Sequence, residues 1–167
     1  MRIISTLVLL LVLTFAAPAE AAKPYSSSRW GLGAMIGDPT AFSVKHWLGG
    51  TNAIDFALGT GPGLRFHADY LFGLARLAQE RSLNLDLYLG VGGIVGESRG
   101  RCGWVRDHHW CHGDDDLFAG VRVPFGLDFV FRTAPIELGL ELAPGAWIAP
   151  DVHVGLIDAA LFVRVLL

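Results

Sequence analysis

The chain has 167 residues, a formal net charge of −3 at neutral pH and 52% hydrophobic residues, against only 17% charged residues. A weakly acidic chain of this kind lacks the basic surface that binds nucleic acid, so we expect no nucleic-acid partner. Its length suits a single domain, and its composition shows no second zone.

The first 21 residues have the three-part pattern of a secretory signal peptide. Arg2 supplies the basic start, residues 3–15 form the apolar stretch, and Ala19-Glu20-Ala21 is a small-x-small cleavage site. The alternative is a membrane anchor, but the apolar stretch is shorter than the roughly 20 residues that a spanning helix needs. We therefore predict a signal peptide at 1–21 and an exported domain at 22–167.

After the signal peptide, apolar and polar residues alternate with a period of two, which is typical of half-buried β-strands. The first four such runs are at 30–36, 41–48, 54–58 and 64–72. Turn residues, such as the Asp38-Pro39 pair, separate them. The 21 glycines recur inside the apolar stretches, where they disfavour helices.

Four more alternating runs follow in the second half of the chain. They are at 83–93, 121–131, 136–147 and 153–165. A polar segment at 75–82 is predicted to connect the fourth run to the fifth. The last run changes parity near Gly155, which predicts a bulge or a late strand start there. The pattern therefore predicts eight antiparallel strands, enough to close an up-and-down barrel.

The charge distribution indicates which face of this barrel meets water. In a soluble barrel the apolar face points inward, whereas in an outer-membrane barrel it meets lipid and polar residues fill the interior. Here the polar face is mostly glycine, alanine and isolated charges of both signs, which favours a packed interior of ion pairs. The sequence thus predicts an all-β, eight-stranded antiparallel transmembrane β-barrel in outer-membrane lipid. Its predicted interior charges are Lys45, Asp55, Arg65, His67, Asp69, Asp86, Arg122, Asp128, Glu137, Glu141, Asp158 and Arg164. A soluble periplasmic barrel that binds an apolar ligand is the alternative.

The lengths of the connections predict the orientation of the barrel. The connections after the second, fourth and sixth runs are short, while residues 97–116 after the fifth run form a long one. Outer-membrane barrels have short periplasmic turns and longer outer loops. We therefore expect both chain termini in the periplasm and the loop 97–116 outside the cell.

Three segments carry a resemblance to known proteins: GLGAMIGDPTAFSVKHWL, GVRVPFGLDFVF and APIELGLELAPG. Together with the signal peptide and the eight runs, they resemble a family of small bacterial outer-membrane barrel proteins, mostly uncharacterised, and more broadly the OmpA and OmpX type of membrane domain. The resemblance covers nearly all of the mature chain. It implies a fold and a location, since its motifs are strand and turn patterns rather than catalytic signatures.

The long loop contains the two cysteines of the chain, Cys102 and Cys111. Because an exported chain meets oxidising conditions, we expect a disulfide that closes a small loop. Two free thiols are the alternative.

Histidine and acidic residues surround these cysteines. His108, His109, His112 and Asp114 are a candidate set for zinc, copper or nickel, although their spacing matches no closed zinc site. The competing interpretation is a polar exposed loop in which Trp104 and Trp110 serve packing or contact with a surface partner.

An enzymatic function is the remaining alternative, because some outer-membrane barrels modify lipid. Ser43 and His46 would lie on opposite faces of one strand, so they cannot cooperate without a bulge. His67 and Asp69 share a face, but no serine lies in a G-x-S-x-G elbow. We expect no enzyme, no cofactor and no large pore, and instead a structural or surface-interaction role through the outer loops.

Overall fold

The structure, a computed structural model, describes residues 29–61, 63–98, 102–105, 108–111 and 116–167. The predicted signal peptide at 1–21 lies outside these residues. The strands are β1 (Trp30–Asp38), β2 (Thr40–Gly49), β3 (Asn52–Thr60), β4 (Leu64–Gln79), β5 (Leu83–Ser98), β6 (Cys102–Val105), β7 (His108–Cys111), β8 (Asp116–Arg122), β9 (Phe125–Phe131), β10 (Ile136–Ala149) and β11 (His153–Leu166). No helix among the described residues is long and apolar enough to cross a membrane.

The strands form one closed antiparallel barrel. Each strand from β1 to β4 pairs with the strand that follows it, β5 pairs with β8 and β9, both of these pair with β10, and β10 pairs with β11. The pairing of β11 with β1 then closes the sheet. Because β8 and β9 occupy one position in the wall, one after the other, the barrel has eight strands. The predicted all-β, eight-stranded antiparallel barrel is therefore confirmed. The hairpin of β6 and β7 forms a separate two-stranded sheet.

The sixth predicted run is interrupted at Val123 and Pro124. Proline has no N–H to donate to a ladder, which weakens strand pairing there. The chain nevertheless keeps its place in the wall, because Val123 N donates to Pro144 O over 2.8 Å and Gly90 N donates to Pro124 O over 2.6 Å.

Bulges explain where the strand boundaries differ from the prediction. β4 continues to Gln79, so the segment 75–82 is mostly strand rather than connection. Its register with β5 shifts between Gly73 and Ala75 and again between Arg76 and Ala78, which disrupts the alternation visible in the sequence. In β11, the register with β10 passes over Gly155, whose φ is 116°, so the bulge predicted there is confirmed.

The two ends of the barrel differ in their connections. At one end, here called the terminal end, Leu167 N donates to Trp30 O over 2.8 Å, and short turns join β2 to β3, β4 to β5 and β9 to β10. At the opposite end, here called the loop end, the chain between β5 and β8 contains the β6–β7 hairpin. The first and last described strands therefore begin and end at the end of the barrel opposite the long connection, as the spacing of the runs predicts.

Candidate functional site

The wall of the barrel has an apolar outer face and a polar inner face. In β10, Ile136, Leu138, Leu140 and Leu142 point outward, while Glu137 and Glu141, which alternate with them, are buried inside. The same alternation recurs in β9 and in most of β4. The interior is therefore the place where this fold gathers its chemically active side chains, and it is our candidate site.

The structure places the predicted interior charges as follows. Lys45, Asp55, Arg65, His67, Asp69, Arg122, Asp128, Glu137, Glu141, Asp158 and Arg164 are buried. Asp86 lies at the rim of the terminal end, half-buried, where its carboxylate accepts hydrogen bonds from Arg76 Nε and Nη2 over 2.7 and 3.3 Å. The interior charges thus form a buried group, with Asp86 in a more open position.

One group of interior side chains, the Lys45 layer, lies toward the terminal end. It consists of Lys45, Asp128, Glu137, Arg164, Asp55 and Ser43. Lys45 Nζ contacts Asp128 Oδ2 at 2.5 Å and Glu137 Oε1 at 2.7 Å. Arg164 donates to Asp55 Oδ2 over 2.7 Å and to Ser43 Oγ over 2.9 Å. Each base therefore has a carboxylate partner, as burial of a charge requires.

A second group, the Arg122 layer, lies toward the loop end. It consists of Arg122, His67, Asp69, Glu141, Asp158 and Arg65. Arg122 donates to Glu141 and contacts Asp158 Oδ2 at 3.4 Å, and Arg65 donates to the other oxygen of Asp158 over 2.8 Å. Arg65 also reaches Asp38 at the loop end, over 2.7 Å. These forked guanidinium contacts join three strands through one cation, Arg122.

The two layers are joined by Tyr88. Its hydroxyl donates to Glu141 over 2.8 Å, and its ring lies 5.4 Å from Lys45 Nζ. A Cβ at Gly126 would overlap the Tyr88 ring, and a Cβ at Gly92 would overlap the Asp69 carboxylate. Glycine at these two positions therefore gives large side chains the room to cross the interior.

The loop end of the interior is covered by an apolar cluster, here called the cap. Ile94, Phe118 and Trp147 are all buried, and the rings of Phe118 and Trp147 stack at 4.8 Å. Arg65 lies beneath the cap, with its guanidinium carbon 5.9 Å from the Phe118 ring. The cap thus covers part of the Arg122 layer at the loop end, where Arg65 also reaches the half-exposed Asp38.

The terminal end instead opens into a cavity of about 410 Å³, here called the vestibule. Lys45 and Asp128 line it, as do the aromatic side chains Trp47 and Tyr88. The Lys45 layer therefore adjoins an open space, whereas the Arg122 layer lies deeper. An apolar ligand cavity, which the soluble-barrel alternative requires, does not match an interior built from these charges.

Some interior residues were not among the predicted interior charges. Ser43, Tyr88 and Asn84 are buried in the same inward pattern as the charges, but they are uncharged and carry no motif. Asp38 lies in the Asp-Pro turn, and only the fold brings it to Arg65. The alternation along the strands places Ser43, Tyr88 and Asn84 on the inner face, so the sequence could have identified them. No sequence signal identifies Asp38 as a partner of Arg65.

The candidate enzymatic residues also have defined positions. His67 Nδ1 lies 2.8 Å from Arg122 Nη1; because a guanidinium only donates, this nitrogen accepts and the imidazole is neutral. His67 Nε2 is 3.8 Å from Asp69 Oδ2. Ser43 is buried inside, while His46 packs against Trp30 with ring centroids 4.1 Å apart, so the predicted opposite facing of Ser43 and His46 is confirmed.

The loop residues are described only in part. The backbone of the β6–β7 hairpin pairs Cys102 with Cys111 directly, and His108 lies in the same hairpin. His112 and Asp114 lie outside the described residues, and no group of three metal-ligating side chains occurs among those that the structure describes. The disulfide and the metal site stay predictions.

Comparison with known proteins supports the fold. The chain is similar to the N-terminal β-barrel domain of Pseudomonas aeruginosa OprF, with a TM-score of 0.50 and 12% sequence identity, over 87% of this chain and 100% of that domain. No family model matches the sequence, and no curated protein matches it. At this identity the similarity is one of fold, an all-β antiparallel barrel.

Proposed function

We propose that this protein is an outer-membrane β-barrel with a closed interior, which acts in the envelope as a structural or surface-contact protein rather than as an enzyme or a large pore. The observation that carries the proposal is the arrangement of its wall, with charges paired inside and large apolar side chains exposed outside. The barrel fold that it shares with the OprF N-terminal domain is compatible with this proposal.

The outer face is unfavourable in water. Large apolar side chains exposed there include Phe42, Leu58, Phe66, Leu140, Leu161 and Val163. Soluble monomers rarely expose contiguous apolar patches of more than a few hundred Å². In a closed barrel every strand pairs with two neighbours, so the backbone N–H and C=O groups of the wall form their hydrogen bonds within the wall. Lipid imposes this condition because it offers these groups no other partner. The outer face therefore suits acyl chains.

The interior supports a closed barrel. Arg65, Arg122 and Arg164 are fully buried side chains that fill the lumen together with their carboxylate partners. An eight-stranded barrel is just wide enough for side chains to fill it. A large aqueous pore would require these ion pairs to be absent.

Surface contact is assigned to the loop 97–116, on the outer side of the membrane. Placing the short turns and both termini in the periplasm puts this loop outside. Within it, the β6–β7 register sets Cys102 opposite Cys111, which suits the predicted disulfide because cross-strand neighbours can lie within bonding reach. A stapled hairpin presents a defined surface to a partner.

The test is fractionation of cells that express the full chain, followed by gel electrophoresis of boiled and unboiled samples. We expect the protein in the outer-membrane fraction, with a mobility shift on boiling because a folded barrel resists unfolding by detergent. Reductant should change the mobility of the boiled sample by opening the Cys102–Cys111 loop, and a Cys102→Ser variant should no longer respond. Recovery as a monodisperse protein from the periplasm without detergent would overturn the membrane assignment.

A further inference from the structure

The outer face of the barrel has a groove of about 450 Å³ close to the loop end, here called the outer groove. Leu64 and Leu117, near the loop ends of β4 and β8, line one side of it. The other side follows one row across the sheet, in which the strand register sets each residue beside the next. This row consists of Leu58, Phe66, Val95, Ala119 and Ala149. The outer groove therefore runs across the wall between two rows of apolar side chains.

The contrast between large and small side chains gives the outer groove its depth. Phe66 and Leu117 project from the wall and are 41% and 75% exposed, whereas Ala119 and Ala149 each carry a single methyl group. A chain of atoms that lies in the groove can therefore contact the wall on more than one side. Such contacts are individually weak, but they add up along a chain.

The width of the outer groove indicates what can enter it. Residues two apart on a strand, such as Leu64 and Phe66, are separated by about 7 Å, which is twice the rise per residue. A helix with its side chains is about 10 Å or more across, so it is too wide for this space. A hydrocarbon chain is one methylene group wide. Among the described residues, the lining is apolar apart from Glu97 near the loop end, which suits such a chain.

We propose that the outer groove holds one acyl chain of a membrane lipid, whose headgroup lies at the loop end. The proposal rests on the proposed function, since it requires this face of the wall to be in lipid. Lipid chains are as apolar as leucine, so burial from water does not favour one position on the wall over another. The preference for the outer groove comes from van der Waals contact with Phe66, Val95 and Leu117. The chain in the groove should therefore exchange more slowly than chains against the rest of the wall.

The test is native mass spectrometry of the detergent-folded full-length protein, titrated with dimyristoyl phosphatidylcholine. We expect one saturable lipid adduct, with a Kd at least tenfold tighter than that of later adducts. Ala119→Phe places a ring in the outer groove and should weaken this first adduct at least tenfold. Ala159→Phe is the matched control, because Ala159 is an exposed alanine of β11 outside the groove, and it should bind like the wild type. Dihexanoyl phosphatidylcholine, which has the same headgroup on short chains, should give no such adduct.

Four results would overturn the proposal: wild-type adducts of equal affinity, equal losses in the two phenylalanine variants, equal binding of the short-chain lipid, or a protein dimer in place of the lipid adduct. If Ala119→Phe lacks the heat-dependent mobility of a folded barrel, Val95→Trp replaces it, because a larger side chain there also fills the groove. Every measurement starts from a barrel folded in detergent, and cell fractionation is independent of it. A failure here is therefore distinguishable from a failure of the membrane assignment.

Discussion

The Arg122 layer and the Lys45 layer are built from the same chemistry but differ in what surrounds them. The stacked rings of Phe118 and Trp147 lie over part of the Arg122 layer, whereas the Lys45 layer adjoins a cavity that opens at the terminal end. Ion pairs far from water are strongly coupled, because the local dielectric is low, while those near water are screened. The comparison teaches that one barrel interior can hold two buried groups of ion pairs along a single axis, of which one borders a cavity through Asp128.

The largest effect is expected when the central cation of the covered layer is removed. Arg122→Met should destabilise the barrel by about 3–5 kcal/mol, since Glu141, Asp158 and Asp69 would remain buried without the guanidinium that they share. Urea unfolding in detergent, followed by the loss of the heat-dependent gel shift, measures this change. Arg122→Lys keeps the positive charge but not the forked guanidinium, so it should lose less stability than Arg122→Met. If Arg122→Met were as stable as the wild type, Arg122 would not be the central cation of this layer.

An intermediate effect is expected at the vestibule. Lys45→Met should cost about 2 kcal/mol, because Asp128 and Glu137 lose a partner but water in the vestibule can reach Asp128. The same urea series measures it, with Lys45→Arg as the charge-preserving control. A loss as large as that of Arg122→Met would show that the two layers are equally shielded, which would remove the contrast between them.

The smallest effect is expected at the rim. Arg76→Ala removes an ion pair whose side chains are 44% and 27% exposed, so its cost should be about 0–1 kcal/mol. The measurement is the unfolding midpoint at low and at high salt, and wild type and variant should converge as salt screens the pair. If Arg76→Ala lowered the stability more than Lys45→Met, the ion pair in the β4–β5 hairpin would be needed to maintain the structure around the vestibule.

The architecture of the barrel was predictable because alternation records which face each residue occupies. Glu137 and Glu141 show this: their parity alone placed them inside, opposite the leucines of β10. The end of β4 was not predictable in the same way, because two bulges shift its parity between Gly73 and Ala78. The alternation therefore predicted the strands correctly, except where a bulge placed an extra residue in one strand and changed the parity.

The pairing of the interior charges required the structure. The ion pair between Lys45 and Asp128 joins β2 to β9, and that between Arg65 and Asp158 joins β4 to β11. Such partners are set by barrel closure and by the stagger between strands, and neither can be read from the positions of the alternating runs in the sequence. The cap and the vestibule depend on the same closure, so neither could be assigned from the sequence.

The separateness of the β6–β7 hairpin has a consequence for how the protein can change over generations. Among the described residues, its strands pair with each other and with no strand of the barrel. Substitutions and insertions there leave the wall ladders intact, so the hairpin can diversify while the scaffold is conserved. In the proposed orientation, the same independence would make this position suitable for displaying a foreign peptide epitope.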